Sequence, residues 1–278
     1  MNIDEIIERA LQEDIGDGDH TSIASIPAGA IGKANLIAKE DGIIAGVEIA
    51  RRVFLKTDPE IQFQKLISDG CPVRKKDIVF TVEGKARSIL SAERLALNFL
   101  QRMSGIATYT HKLCSQLHGL NCKLLDTRKT TPLLRELEKY SVRMGGGANH
   151  RMGLYDMIMI KDNHIDFAGG ITNAIKAVHT YLVKEKKQLK IEIEVRNQSE
   201  LMEVLDHGGV DRIMLDNFTP ADLAAAVKLV DGRFETEASG GINENNLRTY
   251  AETGVGFISV GALTHQIKSL DLSLIAIE

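Results

Sequence analysis

The stretch KIEIEVRNQSELMEVLDHGGVDRIMLDN, residues 190 to 217, decides the fold of the second half of this chain. Residues 190–195 and 212–215 are short apolar runs of the kind that form buried strands, and residues 198–207 have helical spacing. A strand, a helix and a second strand in close succession are typical of a βα unit, whose strands lie parallel in one sheet. The stretch therefore predicts a parallel α/β fold.

The same alternation runs from residue 122 towards the C-terminus. We predict strands at 122–126, 157–160, 190–195, 212–215, 234–238 and 257–260, with helices at 132–140, 168–186, 198–207, 220–230 and 243–253. An eight-fold barrel needs roughly 250 residues, so a barrel built from this segment is short or incomplete. An open doubly wound sheet is the competing architecture, and periodicity alone does not separate the two.

The first hundred residues follow another pattern. A helix is predicted at 3–12, and glycine and proline turns separate short apolar segments at 34–39, 43–46, 61–67 and 78–83, which predicts an α+β layer with an antiparallel sheet. A long helix is predicted from about Ser91 to residue 108 and is apolar on more than one face, so we expect it to be buried on two sides or to lie at an interface. Arg102 on this helix is expected to snorkel or to be paired.

Composition narrows the class of protein. The 278 residues carry a formal net charge of −4, which argues against a nucleic-acid binder, and no apolar run is long enough for a membrane span. The N-terminus is acidic and amphipathic, unlike a signal or transit peptide. Cys71, Cys114 and Cys122 form no CxxC pattern and are expected to be reduced thiols, so we predict a cytoplasmic protein.

One segment is basic although the whole chain is acidic. Between Asp126 and His164, seven Lys or Arg residues stand against five acids around the glycines at 145–147. A basic segment in an acidic chain predicts a pocket for a small polyanion. The cation-forming residues are Arg128, Lys129, Arg135, Lys139, Arg143, His150, Arg151, Lys161 and His164.

Polar residues or glycines follow most of the predicted strands. Because the carboxyl ends of parallel strands meet at one face, convergence on a single pocket is the economical interpretation. The alternative is that these residues are helix caps and turns, and we expect it to hold for Asn217 and Asn243. The residues at the strand ends include Asp126, Thr127, Arg128, Lys129, Lys161, Asp162, Asn163, His164, Glu194, Asp216, Asn217, Ser239, Gly240, Gly241 and Gly261.

Two of these strand ends carry glycine turns that suit a phosphate. Ser239, Gly240 and Gly241 lie between a predicted strand and a predicted helix, where backbone N–H groups approach an anion closely. Gly261 supplies a second turn after the next strand, as in the two-loop phosphate sites of barrels.

Glu194 and Asp216 end consecutive predicted strands. Facing a basic pocket, two acids are suited to hold ribose hydroxyls or a Mg²⁺ bound to a diphosphate. The alternative is that they form ion pairs with Lys161 or Arg128. Glu192 lies on the same strand face as Glu194 and either shares its role or neutralises a lysine.

Several of these segments, taken together, resemble one family. They are SAER through QRMSGIAT in residues 91–108, DTRKTTP at 126–132, GGGANHR at 145–151, KDNH at 161–164, EIEV at 192–195, MLDN at 214–217 and EASGGI at 237–242. In this order they look like quinolinate phosphoribosyltransferase, also called nicotinate-nucleotide pyrophosphorylase (carboxylating), over nearly the whole chain. One departure is Leu133, where the family usually has glycine.

The resemblance implies an architecture of two domains. Residues 1–108 are expected to form an N-terminal α/β sandwich completed by residues 266–278, and residues 109–265 an incomplete α/β barrel of the type II phosphoribosyltransferase sort. It also implies a homodimer or higher homo-oligomer in which Arg102 reaches the neighbouring site.

The resemblance further implies a reaction: phosphoribosyl transfer from phosphoribosyl pyrophosphate to quinolinate with decarboxylation, giving nicotinate mononucleotide in de novo NAD biosynthesis. Mg²⁺ is the implied cofactor. Catalysis is expected from Lys129, Lys161, Glu194 and Asp216. The resemblance implies that the quinolinate carboxylates are bound by Arg102, Arg128, His150 and Arg151. The other implied substrate contacts are Thr127, Ser239, Gly240, Gly241, Ser259, Val260 and Gly261. Among these, Ser239 and the three glycines are implied to hold the 5′-phosphate.

Three other functions stay open at this point. The first is a related phosphoribosyltransferase that takes another acid, such as the relatives linked to molybdenum transport. The second is an aldolase-like barrel that forms a Schiff base at Lys129 or Lys161, and the third is a phosphate-sensing module without catalysis. In every case we interpret Arg135, Lys139 and Arg143 as surface or subunit-contact residues.

Overall fold

A computed structural model describes residues 2–277 and divides the chain into two compact units. The first unit contains the described parts of Met1–His111, Thr130–Gly146 and Leu263–Glu278, and the second contains Lys112–Lys129 and Gly147–Ala262. No helix in the described part of the chain is long and apolar enough to cross a membrane.

The first unit is built on an antiparallel sheet. Its elements in chain order are α1 (Ile3–Ile15), α2 (His20–Ser25), β1 (Ile31–Ala38), β2 (Gly42–Ile43), α3 (Val47–Thr57), β3 (Gln62–Lys65), β4 (Pro72–Val73), β5 (Ile78–Lys85) and α4 (Ala86–Gln116), the last of which runs on into the second unit. The four-stranded sheet has the order β12-β1-β5-β3, where β12 is the C-terminal strand Leu272–Ile277. Phe54 and Phe80 pack against each other in the buried core on this sheet, and the partly buried Phe63 packs against both.

The second unit is built on a six-stranded parallel sheet. In chain order the remaining elements are β6 (Lys123–Leu125), α5 (Arg135–Met144), β7 (Ile158–Ile160), α6 (Asp162–Ala168), α7 (Ile171–Lys184), β8 (Ile191–Val195), α8 (Gln198–His207), β9 (Arg212–Asp216), α9 (Pro220–Val230), β10 (Glu235–Ser239), α10 (Leu247–Ala251), β11 (Phe257–Ser259) and α11 (Ala262–His265). The sheet order is β6-β11-β10-β9-β8-β7, so the predicted α/β class is confirmed.

This strand order distinguishes the barrel from the doubly wound sheet. From β7 to β11 each strand lies next to its predecessor, and β6 lies beyond β11. A doubly wound sheet reverses its direction of growth once, whereas a barrel winds in one direction only. Among the described strands β6 and β7 are not paired, so the winding is that of a barrel left open between them.

Local chemistry explains why two helices begin at the residues where they were predicted to begin. Asn197 caps α8 by accepting the Glu200 N–H at 3.0 Å, and Thr219 caps α9 by accepting the Asp222 N–H, directly before Pro220 at the first helical turn. These side chains satisfy N–H groups that a helix terminus leaves without partners.

Several predicted elements were wrong in extent. The helix predicted at 168–186 corresponds to α7 and begins only at Ile171, because Gly169 and Gly170 adopt positive φ after the end of α6, a helix that was not predicted. The long helix runs from Ala86 to Gln116 rather than from Ser91 to residue 108, and α3 was not predicted. The helix predicted at 132–140 begins only at Arg135, and the one at 243–253 covers only Leu247–Ala251.

The position of α5 differs from the predicted division of the chain. We assigned residues 109–265 to one domain, but α5 groups with the first unit, because its apolar face, including Leu137 and Tyr140, packs on that unit's core. The boundaries at 108 and 265 stay a prediction.

Candidate active site

The second unit contains a cavity of about 610 Å³ at the carboxyl ends of its parallel strands. A volume of this size suits small-molecule substrates. Among the predicted site residues, those that line it are Thr127, Arg128, Lys129, His150, Arg151, Lys161, Glu194, Asp216, Ser239, Gly240, Gly241, Ser259 and Gly261. Val260 is not among the lining residues: it is only 2% exposed and belongs to the core.

Asp126 attaches the loop that carries His150 to the end of β6. Its carboxylate is fully buried, accepts the His150 backbone N–H at 2.9 Å and accepts the Asn149 amide at 2.5 Å. The bridge between Leu125 and Ala148 continues the same contact along the backbone. Asp126 therefore has a structural role, which is to place His150 and Arg151 at the cavity.

Two guanidinium groups share the cavity with Lys129. Arg128 is exposed, while Arg151 is partly buried and donates from Nη1 to the Met157 carbonyl at 3.2 Å. Burial and then the charge of Arg128 lower the pKa of Arg151 below its usual value. Because several positively charged groups line the same cavity, the cavity attracts anions.

Lys161 forms an ion pair with Glu194. Its Nζ lies 2.6 Å from Oε2 of Glu194, across the ends of β7 and β8. This pair is the alternative that the sequence left open for Glu194, and both partners line the cavity. Asp216 at the end of β9 accepts the Asn217 side-chain amide at 2.5 Å.

Glu192 neutralises a histidine rather than a lysine. Its Oε2 lies 3.0 Å from Nε2 of His150, and Oε2 of Glu237 lies 3.4 Å from the same nitrogen. Both carboxylates are fully buried, and Arg212 Nη1 lies 2.9 Å from Glu237 Oε2. Burial opposes a charge on the ring, but the hydrogen bonds to Glu192 and Glu237 outweigh it and raise the pKa of His150 to about 9.

The first glycine turn is shaped by close approach of the backbone. Gly240 has a φ of +95°, and a Cβ there would lie 2.9 Å from the Asn217 backbone nitrogen. Gly241 has a φ of +64° with open space where its side chain would be. The helix that follows begins at Leu247 and has only five residues, so the predicted helix N-terminus does not contribute, and the glycine N–H groups remain.

The sequence interpretation missed five residues that line the cavity: Met159, Met214, Asn217, Glu237 and Ile242. A signal for Glu237 was present, because Glu235, Glu237 and Ser239 alternate along β10 and so share one strand face. Asn217 has a φ of +57° and lies against Gly240, so it shapes the turn instead of capping a helix.

Arg102 lies in the first unit and is paired, as expected. Its Nη2 lies 2.6 Å from Oε1 of the buried Glu138 and donates to Thr131 Oγ1 at 2.7 Å. Lys139, beside Glu138, is 0% exposed, so its interpretation as a surface or subunit-contact residue was wrong. It lies on the buried face of α5. Arg143 is exposed, as predicted.

Known proteins resemble this chain over nearly its whole length. Residues 106–275 match the family model "Quinolinate phosphoribosyl transferase, C-terminal domain", and residues 19–104 match the corresponding N-terminal domain. The chain is 47% identical to "Quinolinate phosphoribosyltransferase [decarboxylating] 1" of Nicotiana glauca, covering 97% of this chain and 81% of that protein. It is 42% identical to "Probable nicotinate-nucleotide pyrophosphorylase [carboxylating]" of Bacillus subtilis, covering 99% and 93%. The solved structure of NadC from Streptococcus pyogenes has a TM-score of 0.94 at 39% identity, covering 99% and 97%.

A one-way wound parallel sheet with a cationic cavity at its carboxyl ends defines an α/β enzyme that acts on small anionic substrates. The two family models and the full-length relatives then specify the enzyme. The chain belongs to the quinolinate phosphoribosyltransferase family and is a decarboxylating phosphoribosyltransferase.

Proposed function

We propose that this cavity transfers the phosphoribosyl group of phosphoribosyl pyrophosphate to quinolinate with loss of CO₂, giving nicotinate mononucleotide and diphosphate for de novo NAD synthesis. One observation carries the proposal: Arg128, Lys129, His150, Arg151 and Lys161 line a single cavity of about 610 Å³. A dicarboxylate and a polyphosphate need this much positive charge, and few other small-molecule pairs do.

The cations are divided between the two substrates by their geometry. Arg128 and Arg151 offer planar guanidinium forks that match a carboxylate, so they and His150 are assigned to quinolinate. Lys129 and Lys161 are compact charges and are assigned to the diphosphate. Thr127, which accepts the Lys129 backbone N–H at 3.0 Å, keeps that loop in place.

The glycine turns are assigned to the 5′-phosphate. Ser239, Gly240 and Gly241 end β10, and Ser259 and Gly261 end the neighbouring β11, so both turns open into one cavity. Backbone N–H groups without an intervening side chain approach a phosphate closely. Val260 joins these two residues through its backbone only, because its side chain is in the core.

Glu194 and Asp216 suit a magnesium ion that arrives with the substrate. Mg²⁺ is commonly held by one or two carboxylates together with substrate phosphates, and both residues line the cavity at the ends of adjacent strands. When bound, the ion would neutralise charge on the leaving diphosphate. The same carboxylates are placed to accept hydrogen bonds from ribose hydroxyls.

The protein contributes position and charge rather than a covalent nucleophile. The bond from ribose C1 to diphosphate breaks through an oxocarbenium-like state, and Lys129 and Lys161 stabilise the charge on the departing oxygen. The quinolinate nitrogen donates its electron pair to C1. The resulting pyridinium accepts the electron pair of the bond to the C2 carboxylate, CO₂ departs, and a proton replaces it on the ring.

The functional assembly is proposed to be a homodimer or a higher homo-oligomer in which Arg102 serves the neighbouring site. Arg102 lies on a long helix and already holds Glu138 and Thr131, which fix the direction of its guanidinium. A fixed guanidinium suits a carboxylate that is brought to it. The cytoplasm is proposed as its location, in agreement with three cysteines that are all free.

The test is a product assay with purified protein, quinolinate, phosphoribosyl pyrophosphate and Mg²⁺. We expect nicotinate mononucleotide and CO₂ in equal amounts. Turnover of another acid but not of quinolinate would identify the related phosphoribosyltransferase instead. The Schiff-base alternative is disfavoured because Lys161 is already engaged in an ion pair with Glu194, and borohydride trapping on a carbonyl substrate checks it.

A further inference from the structure

The ring of His150 is enclosed by groups of the protein itself. Its side chain is 5% exposed, Nε2 faces Glu192 and Glu237, and Nδ1 accepts the Arg151 backbone N–H at 2.7 Å. The hydrogen bond to Nδ1 places the first ring proton on Nε2, which lies within ion-pair distance of both carboxylates. The ring is thereby held from both sides at the wall of the cavity.

Glu237 is held in turn by Arg212, whose contacts span three adjacent strands. Arg212 of β9 reaches Glu237 through Nη1 and Glu235 through Nε and Nη2, and its guanidinium lies 3.9 Å from the ring centre of Phe257 on β11. These contacts restrict the Glu237 carboxylate to one orientation.

A histidine and two glutamates also resemble a set of metal ligands. The guanidinium of Arg212, however, lies 2.9 Å from the same Glu237 oxygen that faces His150. A positive group at that oxygen repels a metal cation. The trio is therefore an ion-pair network.

Burying two carboxylates is costly unless cations compensate them. Glu192 and Glu237 are fully buried, and burial raises the pKa of Glu192. Two anions face His150 from neighbouring strands: Glu192 on β8 and Glu237 on β10, with Arg212 of β9 behind Glu237. In the loop of His150 itself, the backbone N–H of Arg151 points at Nδ1 and so opposes a second proton on the ring. Two anions outweigh one peptide dipole, so the pKa of His150 is raised.

We propose that Glu192 and Glu237, with Arg212 behind Glu237, are positioning residues that hold the His150 ring as a fixed cation for a carboxylate of quinolinate. The inference rests on the proposed function, because that function assigns His150 to quinolinate. In this arrangement both glutamates act through the histidine.

The test compares Glu237→Gln and Glu192→Gln with Glu235→Gln. All three changes remove one negative charge and keep the side-chain shape, but Glu235 contacts Arg212 and not His150, so it is the matched control. The titration midpoint of the His150 ring is followed by NMR and assigned by comparison with His150→Gln. Thermal melting verifies that each variant is folded, and Glu192→Gln carries the test if Glu237→Gln is not.

We expect the His150 midpoint to fall by about one pH unit in Glu237→Gln and Glu192→Gln, because each loses one anion beside the ring. At a pH of about 8, KM for quinolinate should rise about two-fold, because the protonated fraction of the ring falls from about nine-tenths to about one-half, while KM for phosphoribosyl pyrophosphate stays nearly constant. Glu235→Gln should leave the midpoint and both KM values unchanged.

A midpoint that does not move in the folded Glu237 and Glu192 variants would overturn the inference, even if their activity fell. An equal rise in both KM values would overturn it as well, because the network would then support the whole cavity. Failure of the wild-type protein to turn over quinolinate would instead contradict the proposed function, and the NMR midpoints would still report on the carboxylate pair.

Discussion

At the scale of single residues, Lys161 is the most direct test of the proposed chemistry. Its ammonium lies 2.6 Å from Glu194 in the cavity wall, and its side chain is 44% exposed, so little packing depends on it. Replacing Lys161 by alanine should lower kcat by about 100-fold or more, because a charge that stabilises the leaving diphosphate is lost. Steady-state kinetics with both substrates measure this.

The control for this change is Lys190→Ala. Lys190 lies before β8, at the end of the strands away from the cavity, and its side chain makes a long ion pair of 3.9 Å with Glu235. Its removal should leave kcat unchanged. A Lys161→Ala enzyme with nearly wild-type turnover would remove Lys161 from the mechanism.

Leu133 adopts a backbone conformation that favours glycine. It has a φ of +67° and a side chain that is 66% exposed. Left-handed backbone costs a residue with a Cβ roughly 1–2 kcal/mol, and the greater freedom of glycine in the unfolded chain offsets part of that gain. Leu133→Gly should therefore stabilise the protein by roughly 0.5–1 kcal/mol, as measured by urea unfolding.

Leu133→Ala separates backbone strain from the loss of the side chain. Alanine keeps the Cβ, so it should gain no stability. If Leu133→Gly were less stable than Leu133→Ala, the strain would not be the controlling effect.

At the scale of elements, the turn after β10 offers two adjacent glycines in different surroundings. Gly240→Ala would bring a Cβ within 2.9 Å of the Asn217 backbone and force the turn to move, whereas Gly241→Ala meets open space. We expect KM for phosphoribosyl pyrophosphate to rise about ten-fold or more in Gly240→Ala and much less in Gly241→Ala, because misplaced N–H groups bind phosphate poorly.

The KM for quinolinate is the internal reference for both glycine variants. It should change little, since the turn is assigned to the other substrate. Equal effects of the two glycine changes on phosphoribosyl pyrophosphate would contradict the assignment of the turn.

The accuracy of the element predictions followed the strength of local signals. Helices α8 and α9 were predicted at their observed bounds, because Asn197 and Thr219 are strong caps next to regular apolar spacing. Helix α3 was missed, since its cap is formed by Asp69, more than twenty positions away, whose carboxylate accepts the Gly46 and Val47 N–H groups. A cap supplied from a distance leaves no mark in the neighbouring sequence.

At the scale of the whole molecule, the proposed sharing of Arg102 between subunits has a simple test. Arg102→Ala and Lys161→Ala should each be nearly inactive alone. If each site uses Lys161 of one chain and Arg102 of another, mixed dimers contain one intact site, and an equal mixture should recover about a quarter of the wild-type activity.

The mixture must be allowed to exchange subunits, for example by refolding the two variants together. The control is a double variant that carries both Arg102→Ala and Lys161→Ala on the same chain. Refolded in the same way without another variant, it should stay inactive. If the refolded mixture of the single variants also stays inactive, Arg102 does not act across the interface.

The sequence by itself determined the types of side chain at the strand ends, the alternation of strands and helices, and the family motifs. These are local properties, because period, caps and motif spacing lie within a few dozen residues of one another. The cationic cavity was predictable from them, and so were Lys161, Glu194 and Asp216 as its members.

Only the tertiary structure decided which partners these side chains choose. Sheet order puts Arg212, Glu237 and Phe257 on adjacent strands, brings Glu192 to His150, and turns Val260 into the core. The physical reason is that a strand's period specifies which face a residue occupies, whereas the residue across from it depends on sheet order and register, which are set by contacts far apart in the chain.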